Sequence, residues 1–364
     1  SENELTNRSD GRKQAPNGSL VEWIEEPSYF FRLEDWREKL LEYYENSELD
    51  VISPVSRKNE VKRFVEGELF DLSISRTSFS WGVPVPGDND HIMYVWLDAL
   101  VNYITGIGFP EENRESYKAF WPANLHMVGK DILRFHAIYW PAFLMAANLE
   151  PPKQIFAHGW WTNEGEKISK SVGNIIDPNE IVEQYGLDPV RYFLLREVPF
   201  GNDGDFSHHA IVNRMNSELA NDLGNLSQRI LSMIQKYCDG KVPSPQPLEG
   251  ADNELLEAAV ALITDVRDQV IVKKAFHDAL SSIWLIVRKT NSYIADQQPW
   301  SLQKENKNRM STVLYVAAEV VRILGIIIQP FMPDSSAILL NQLSISPNAR
   351  DFSKLNTDYT LTPG

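Results

Sequence analysis

A change of periodicity near residue 210 constrains this chain more than any other feature of its sequence. From about 70 to 165, short apolar runs (HIMYVWL, NLHMVG, QIFAHGWW) alternate with helical stretches. That alternation is the pattern of a parallel α/β sheet. After about 210 the strands disappear. Ile211, Met215, Leu219, Leu223, Leu226, Ile230 and Ile234 form one stripe, and similar stripes occupy about 252–271, 274–296 and 307–329. Stripes of that kind predict a helical bundle, with GKVPSPQPLEG as the linker between its first two helices. Residues 1 to about 20 are polar. They are followed by a strand-like start, a Pro-marked turn and a helix carrying Leu33, Trp36, Leu40 and Tyr43 or Tyr44. In the α/β part the longest predicted helix is DILRFHAIYWPAFLMAANL, with Asp131 as N-cap and Pro141 interrupting its second half. No internal repeat is visible.

Composition narrows the function classes. Of 364 residues, 43% are hydrophobic, enough for two or three packed cores. The longest apolar run, Ile323 to Ile328, stops at Gln329-Pro330, so no membrane span is expected. The polar N-terminus does not read as a signal peptide. The single cysteine, Cys238, excludes an internal disulfide and a multi-cysteine zinc site, in keeping with a reducing, cytoplasmic setting. A formal charge of −15 argues against sequence-independent nucleic-acid coating. It leaves room for recognition of one RNA fold through a local patch.

Two aromatic faces stand out. Trp96, Ala99, Leu100 and Tyr103 share one helical face just after a strand. Ile132, Phe135, His136 and Trp140 share another, again just beyond a strand end, where open α/β sheets bind ligands. Meeting there, they form an aromatic cavity with one imidazole, one phenol and the Asp131 carboxylate, suited to a thioether. The same spacing equally describes two ordinary core faces, and these residues alone leave both readings open.

HGWWTNEGEKISKSVGNIIDP is a different signal. It follows an apolar strand and carries two lysines three apart amid Gly, Ser and Asn. Such a loop can close over a triphosphate and neutralise charge as pyrophosphate leaves. A lone K-x-x-K also describes a solvated surface loop. The chain has no Walker A motif and no G-x-G-x-x-G, which leaves a P-loop ATPase or a dinucleotide dehydrogenase without support.

KISKS at 167–171 resembles the KMSKS signature of class I aminoacyl-tRNA synthetases, with Ile168 where Met is common. IDPNEIVEQYGLDPVRYFLL resembles the helical segment that follows that loop. YVWLDALVNY, HMVGKDILRFHAIYWPA, SYFFRLEDW and WGVPVP resemble methionyl-tRNA synthetases, bacterial or organellar ones most of all. The resemblance runs from about residue 20 to about 335. It implies an α/β plus all-α chain: the second half of a Rossmann-type catalytic domain with part of its connective insertion, then an α-helical anticodon-binding bundle. The implied segments are 1–75 (insertion), 76–165 (catalytic half), 166–208 (KMSKS loop and stem-contact segment) and 209–364 (anticodon-binding helices).

Carried over residue by residue, the resemblance assigns the methionine pocket to Trp96, Ala99, Tyr103, Asp131, Ile132, Phe135, His136 and Trp140. Leu100 stands where some members have proline. Gly129, Asp131, His158, the main chain near Trp161, and Lys170 are implied to bind ATP, with Asp131 on the ribose. Lys167, Ser169 and Lys170 are implied to stabilise the transition state of adenylate formation. Asn225, Arg229 and Trp300 match positions that read the CAU anticodon, the tryptophan stacking an unpaired base.

The family's HIGH-type tetrapeptide is missing, since the seven histidines show no H-x-G-H spacing. The expectation is that the chain begins inside the connective insertion, and that a separate N-terminal half is needed for catalysis. No protein-bound zinc is expected, because the cysteine knuckle is not visible and GRKQAPNGS stands about where its second element would sit. The expected function is a methionine–tRNA ligase using ATP with Mg²⁺, methionine and tRNA(Met), without a membrane and as a monomer. The alternatives are a synthetase for another apolar amino acid, a non-catalytic tRNA-binding module, and a nucleotidyltransferase unrelated to tRNA. The first typically carries a large editing domain for which there is no room here, and the last leaves the C-terminal bundle unexplained.

Overall fold

A computed structural model describes residues 6–7, 13–14, 20–21, 25–45, 50–67, 69–168, 173–356 and 360–364. The chain divides into two compact units, 1–157 and 158–364. Most of the GRKQAPNGS segment and part of the strand-like start after residue 20 lie outside the described residues, as do Ser169 and Lys170.

The first unit is built on a three-stranded sheet. Strand β1 (Ile52–Ser53) lies at one edge. Helix α1 (Val95–Thr105) follows a small antiparallel sheet over residues 75–93, and its first turn carries Asp98, an anion suited to a helix N-terminus. Strand β2 (His126–Gly129) leads into a continuous helical stretch that ends in α2 (Trp140–Ala146), and β3 (Ile155–His158) closes the unit. The sheet order is β2–β3–β1, with β3 parallel to β1 and Ile155 opposite Ile52. The consecutive strand residues Ile155, Phe156 and Ala157 are all buried, as are Leu40, Val65, Ala137 and Ile138 of the core beside them. That is the burial expected for parallel strands. A separate core gathers Leu100, Ile104, Trp121, Trp140 and Leu144 under α1.

The helical stretch after β2 differs from its expected form. It opens as a 3-10 turn over Lys130–Ile132 with Gly129, not Asp131, at the N-cap, and Asp131 sits inside that turn. Residues Phe135–Tyr139 wind as a π-helix, and Pro141 lies in the first turn of α2 instead of interrupting a helix. The reason is local. Proline has no N–H, so it fits where a regular α-helix starts, and the wider turn before it accommodates its ring.

In the second unit, β4 (Trp161–Asn163) pairs antiparallel with β5 (Glu166–Lys167) and parallel with β6 (Gly204–Phe206) once the helix α3 (Leu187–Arg196) has been passed. The β4–β5 turn is Glu164-Gly165, both at positive φ (49° and 81°). That is the geometry of a tight two-residue hairpin. The bundle follows: α4 (Asn225–Tyr237), α5 (Gly250–Arg267), α6 (Phe276–Gln297), α7 (Pro299–Glu305), α8 (Lys307–Ile327) and α9 (Pro333–Gln342). Helix α8 is its axis, buried at every residue from Thr312 to Ile327. By length and composition α8 is apolar enough to cross a membrane, yet 94% of its most apolar window is covered by neighbouring helices.

The stripe that begins at Ile211 is not one α-helix. It runs through an α-helix His208–Arg214, a π-helix Met215–Gly224 and then α4. The sequence contains the cause. From Ile211 to Leu223 the apolar residues recur every four positions, and each such step overshoots a full α-turn by about 40°. Looser π winding turns less per residue and keeps the stripe on one side.

Asp188 and Arg191 tie α3 to the end of the bundle. The buried Asp188 carboxylate accepts the Ser335 N–H at 2.5 Å at the start of α9, and Arg191 donates to the carbonyls of Pro330 and Phe331. An acid at a helix N-terminus is favourable twice over, by hydrogen bond and by dipole.

Candidate functional site

The two aromatic faces do meet. Trp96 of α1 stacks on Phe135 with ring centroids 3.9 Å apart and planes 15° from parallel, and its edge meets His136 at 6.4 Å. Tyr103, two turns along α1, reaches the same imidazole, with its hydroxyl 2.9 Å from His136 Nε2. His136 Nδ1 lies 3.0 Å from the carbonyl of Ile132. A carbonyl only accepts, so Nδ1 carries the proton and Nε2 is left bare to accept from Tyr103. Trp140 packs beside Tyr103 at 6.3 Å. Ala99 is exposed on the α1 face between Trp96 and Tyr103, while Leu100 points away into the core.

Burial divides the set. His136 and Trp140 are buried and Trp96, Ile132 and Phe135 half-buried, whereas Tyr103 keeps 43% of its surface exposed. The site is therefore an aromatic wall that a side chain can reach, backed by a neutral imidazole. Burial is the larger influence on His136 and pulls its pKa below the ordinary value, only partly opposed by the Ile132 carbonyl. Gly129 ends β2 half-buried and Asp131 is exposed, at the mouth of the strand end.

One residue of this cluster escaped the sequence reading. His126, the first residue of β2, is 6% exposed and meets Tyr103 edge-on at 4.5 Å. Trp121 approaches it from the other side at 6.2 Å. Its Nδ1 and the Nε1 of Trp140 are both buried without a hydrogen-bond partner. In sequence it was one polar letter in a short strand, and only the fold reveals what surrounds it.

Burial, and then the proximity of His136, drive His126 down to about 4 from the ordinary 6.5. In the unfolded chain it protonates at the ordinary value. The unfolded state therefore binds more protons between those limits, and stability falls as pH drops from about 6.5 toward 4, by up to about 3 kcal/mol. The expected result is a pH-dependent loss of melting temperature across that window that is shallower in His126→Gln. An unchanged slope in the variant would mean that another group titrates.

The lysine loop springs from the β4–β5 hairpin. Lys167 ends β5, exposed, with its ammonium 5.1 Å over the Trp160 ring. Asn174 staples the base of the loop: its Nδ2 donates to the Lys167 carbonyl at 3.1 Å, and its own carbonyl accepts from Asn163 Nδ2 at 3.0 Å. Nothing in the spacing of K-x-x-K pointed to that asparagine. His158 stacks on Phe200 at 6.0 Å, and Trp161 packs on Phe193 at 5.9 Å. Gly159 between them is sterically required, because a Cβ there would fall 2.1 Å from the Asn202 carbonyl oxygen.

On the bundle, Asn225 and Arg229 lie one turn apart on α4, exposed and half-buried respectively. Trp300 is 42% exposed. It sits at the corner where α6 stops at Gln298, a left-handed residue (φ 45°), and Pro299 starts α7. That geometry pushes the indole outward, unlike a core residue at a helix end.

Residues 12–231 match the family model for class I tRNA synthetases (M), and residues 242–362 match the model for the anticodon binding domain of methionyl tRNA ligase. The chain belongs to the methionyl-tRNA synthetase family. It is 56% identical over 351 residues to the methionine–tRNA ligase of Brucella suis biovar 1, covering 96% of this chain and 68% of that one. With the Mesorhizobium japonicum methionine–tRNA ligase it shares 53% over 363 residues, 100% of this chain and 70% of that one. Among solved structures, Mycobacterium tuberculosis methionyl-tRNA synthetase in complex with methionyl-adenylate superposes with a TM-score of 0.94 at 52% identity, covering 100% of this chain and 71% of that one. The class I catalytic fold followed by an anticodon-binding domain is thus the architecture of a methionyl-tRNA synthetase.

Proposed function

We propose that this chain carries the methionine, ATP and tRNA sites of a methionine–tRNA ligase. The carboxylate of methionine attacks the α-phosphorus of ATP, the bond to the bridging oxygen of the β-phosphate breaks, and pyrophosphate leaves. The aminoacyl group of the adenylate then passes to the terminal ribose hydroxyl of tRNA(Met), releasing AMP. No side chain needs to act as a nucleophile, so catalysis is positioning plus electrostatics.

The observation that carries this reading is the aromatic wall within a chain of this family: Trp96 stacked on Phe135, with Tyr103 bonded to a neutral His136. Trp96, Ala99, Tyr103, Ile132, Phe135, His136 and Trp140 take the thioether side chain, for which sulfur–aromatic contact is favourable. Asp131 holds the ribose, and Gly129, His158 and the main chain at Trp161 hold the rest of the adenosine. Lys167, Ser169 and Lys170 act on the phosphates, with Mg²⁺ arriving as part of the ATP complex and no zinc bound to the protein. The segments 1–75, 76–165, 166–208 and 209–364 serve as insertion, catalytic half, KMSKS and stem-contact region, and anticodon-binding helices. We place the protein in the cytoplasm, acting as a monomer.

The sequence contains no H-x-G-H tetrapeptide. On its own, this 364-residue polypeptide is therefore expected to be silent in methionine-dependent ATP–pyrophosphate exchange, and active once an N-terminal half carrying that motif is supplied. Exchange supported by leucine or isoleucine in place of methionine would overturn the substrate assignment. Silence of a folded, complemented complex would favour a tRNA-binding module that does not activate methionine.

A further inference from the structure

We propose that Asn291 is a positioning residue of the RNA face, fixing the guanidinium of Arg229 in advance of binding. The proposal rests on the reading of Arg229 as an anticodon contact and adds the device that holds it. Arg229 Nη2 lies 3.2 Å from Asn291 Oδ1 and 3.4 Å from the Asn291 carbonyl. On its other side, Asn291 Nδ2 faces the carbonyls of Val287 at 3.3 Å and Asp222 at 3.4 Å.

Both of those carbonyls are acceptors only. The Asn291 amide therefore cannot flip without setting oxygen against oxygen, which locks Oδ1 toward Arg229. One side chain on α6 thus links the π-helical turn at Asp222 to the Arg229 face of α4.

The consequence for binding is entropic and directional. A free arginine loses much rotamer entropy when it is ordered, and a guanidinium already held in its fork geometry loses less when it meets a base. Nη2 is engaged by Asn291, and Nε is enclosed without a partner. The side chain as a whole remains half-exposed. Base contact therefore falls to the Nη1 end, whose direction Asn291 sets. An unpaired base offers ring-nitrogen and carbonyl acceptors to such a donor.

The test uses the full chain and an anticodon-stem hairpin carrying CAU, read by fluorescence anisotropy. Alongside it go hairpins with one anticodon base changed. Asn291→Ala is expected to weaken CAU binding about tenfold and to shrink the discrimination against changed bases. In an Arg229→Ala background the same substitution is expected to cost nothing further, because the residue acts through Arg229. Asn291→Leu, close in size, is expected to melt with the parent protein and to show the same loss.

Equal losses in both backgrounds would overturn the proposal. So would uniform weakening with discrimination intact, the signature of a merely structural role. If Arg229→Ala itself binds CAU as tightly as the parent, the underlying reading of Arg229 fails and the proposal with it. If Arg229→Ala weakens binding while Asn291→Ala and Asn291→Leu do not, only the positioning role is lost.

Discussion

Replacing Lys170 with alanine is expected to lower the kcat of methionine-dependent pyrophosphate exchange by about 100- to 1,000-fold, measured on the chain complemented with an N-terminal half that carries an H-x-G-H motif. The KM for methionine is expected to stay near the parent value. The reason lies in when the charge is needed. Negative charge builds on the departing pyrophosphate only as the α-phosphorus bond breaks, so a lysine poised there stabilises the transition state more than the ground state. Lys167 ends β5 beneath the Asn174 staple and leans over Trp160, which suits a residue anchoring the loop. Lys170 follows three positions later in the KISKS sequence. Lys167→Ala is therefore expected to be the milder substitution, with Lys170→Ala lowering kcat by the larger factor. A drop of less than tenfold for Lys170→Ala would remove that side chain from the reacting phosphates.

Much of this site was legible because its chemistry is local. Trp96 to Tyr103 and Ile132 to Trp140 are helical faces, so spacing grouped the rings of each face, and the fold brings the two faces together. The Pro299 corner is set by a residue whose backbone preference is strong. What stayed hidden depends on partners far away in sequence. His126 belongs to the aromatic cluster only because Trp121 and Tyr103 pack on it. Asn291 acquires meaning only when α6 lies against α4, and its contact to Arg229 spans 62 positions. Asn174 is closer to its partners, but nothing in a Ser-Val-Gly-Asn sequence tells which carbonyl its amide will seek.

The misread helices show the opposite limit, and the stripe at about 252–271 joins them by ending in a π-helix over Asp268–Val272. At residues 130–146 and 208–237 the sequence carried the correct apolar positions, and the winding between them was wrong. Helical periodicity is read against 3.6 residues per turn. A stripe stepping by four, or a proline set to begin a helix, is satisfied by a π-turn that ordinary pattern reading does not consider. The apolar stripe survives because burial selects the face, and the hydrogen-bond pattern adjusts to it.

The second large effect concerns stability, at a node that also braces the Trp300 corner. Asp252, in the first turn of α5, is fully buried and accepts four donors. Arg309 contributes Nη1 at 2.5 Å and Nη2 at 2.9 Å, the Tyr293 hydroxyl lies at 2.5 Å, and the Glu249 N–H at 2.9 Å. The same Arg309 reaches Gln297 Oε1 at 2.5 Å, one residue before the left-handed Gln298 that turns the chain toward Trp300. Asp252→Ala leaves a largely buried guanidinium and a buried phenol without their acceptor. Stranding one member of such a pair costs about 3–5 kcal/mol, on the order of 10 °C in the melting temperature of a unit this size. Adding Arg309→Met is expected to recover much of the loss, since the stranded charge goes with it. The effect depends on pH in a definite direction. Burial by itself raises the Asp252 pKa, but Arg309, then Tyr293 and the Glu249 amide, outweigh it and hold the carboxyl below its ordinary value. The stabilisation is then complete above the ordinary carboxylate range and is lost as pH falls through the depressed value. Asp252→Ala lacks that acid-dependent loss, so the parent and variant melting curves are expected to converge in acid. Because the node braces the Trp300 corner, Asp252→Ala is also expected to weaken hairpin binding more than an equally destabilising change elsewhere in the bundle, such as Leu340→Ala. Equal binding by those two variants would confine Asp252 to a role in stability.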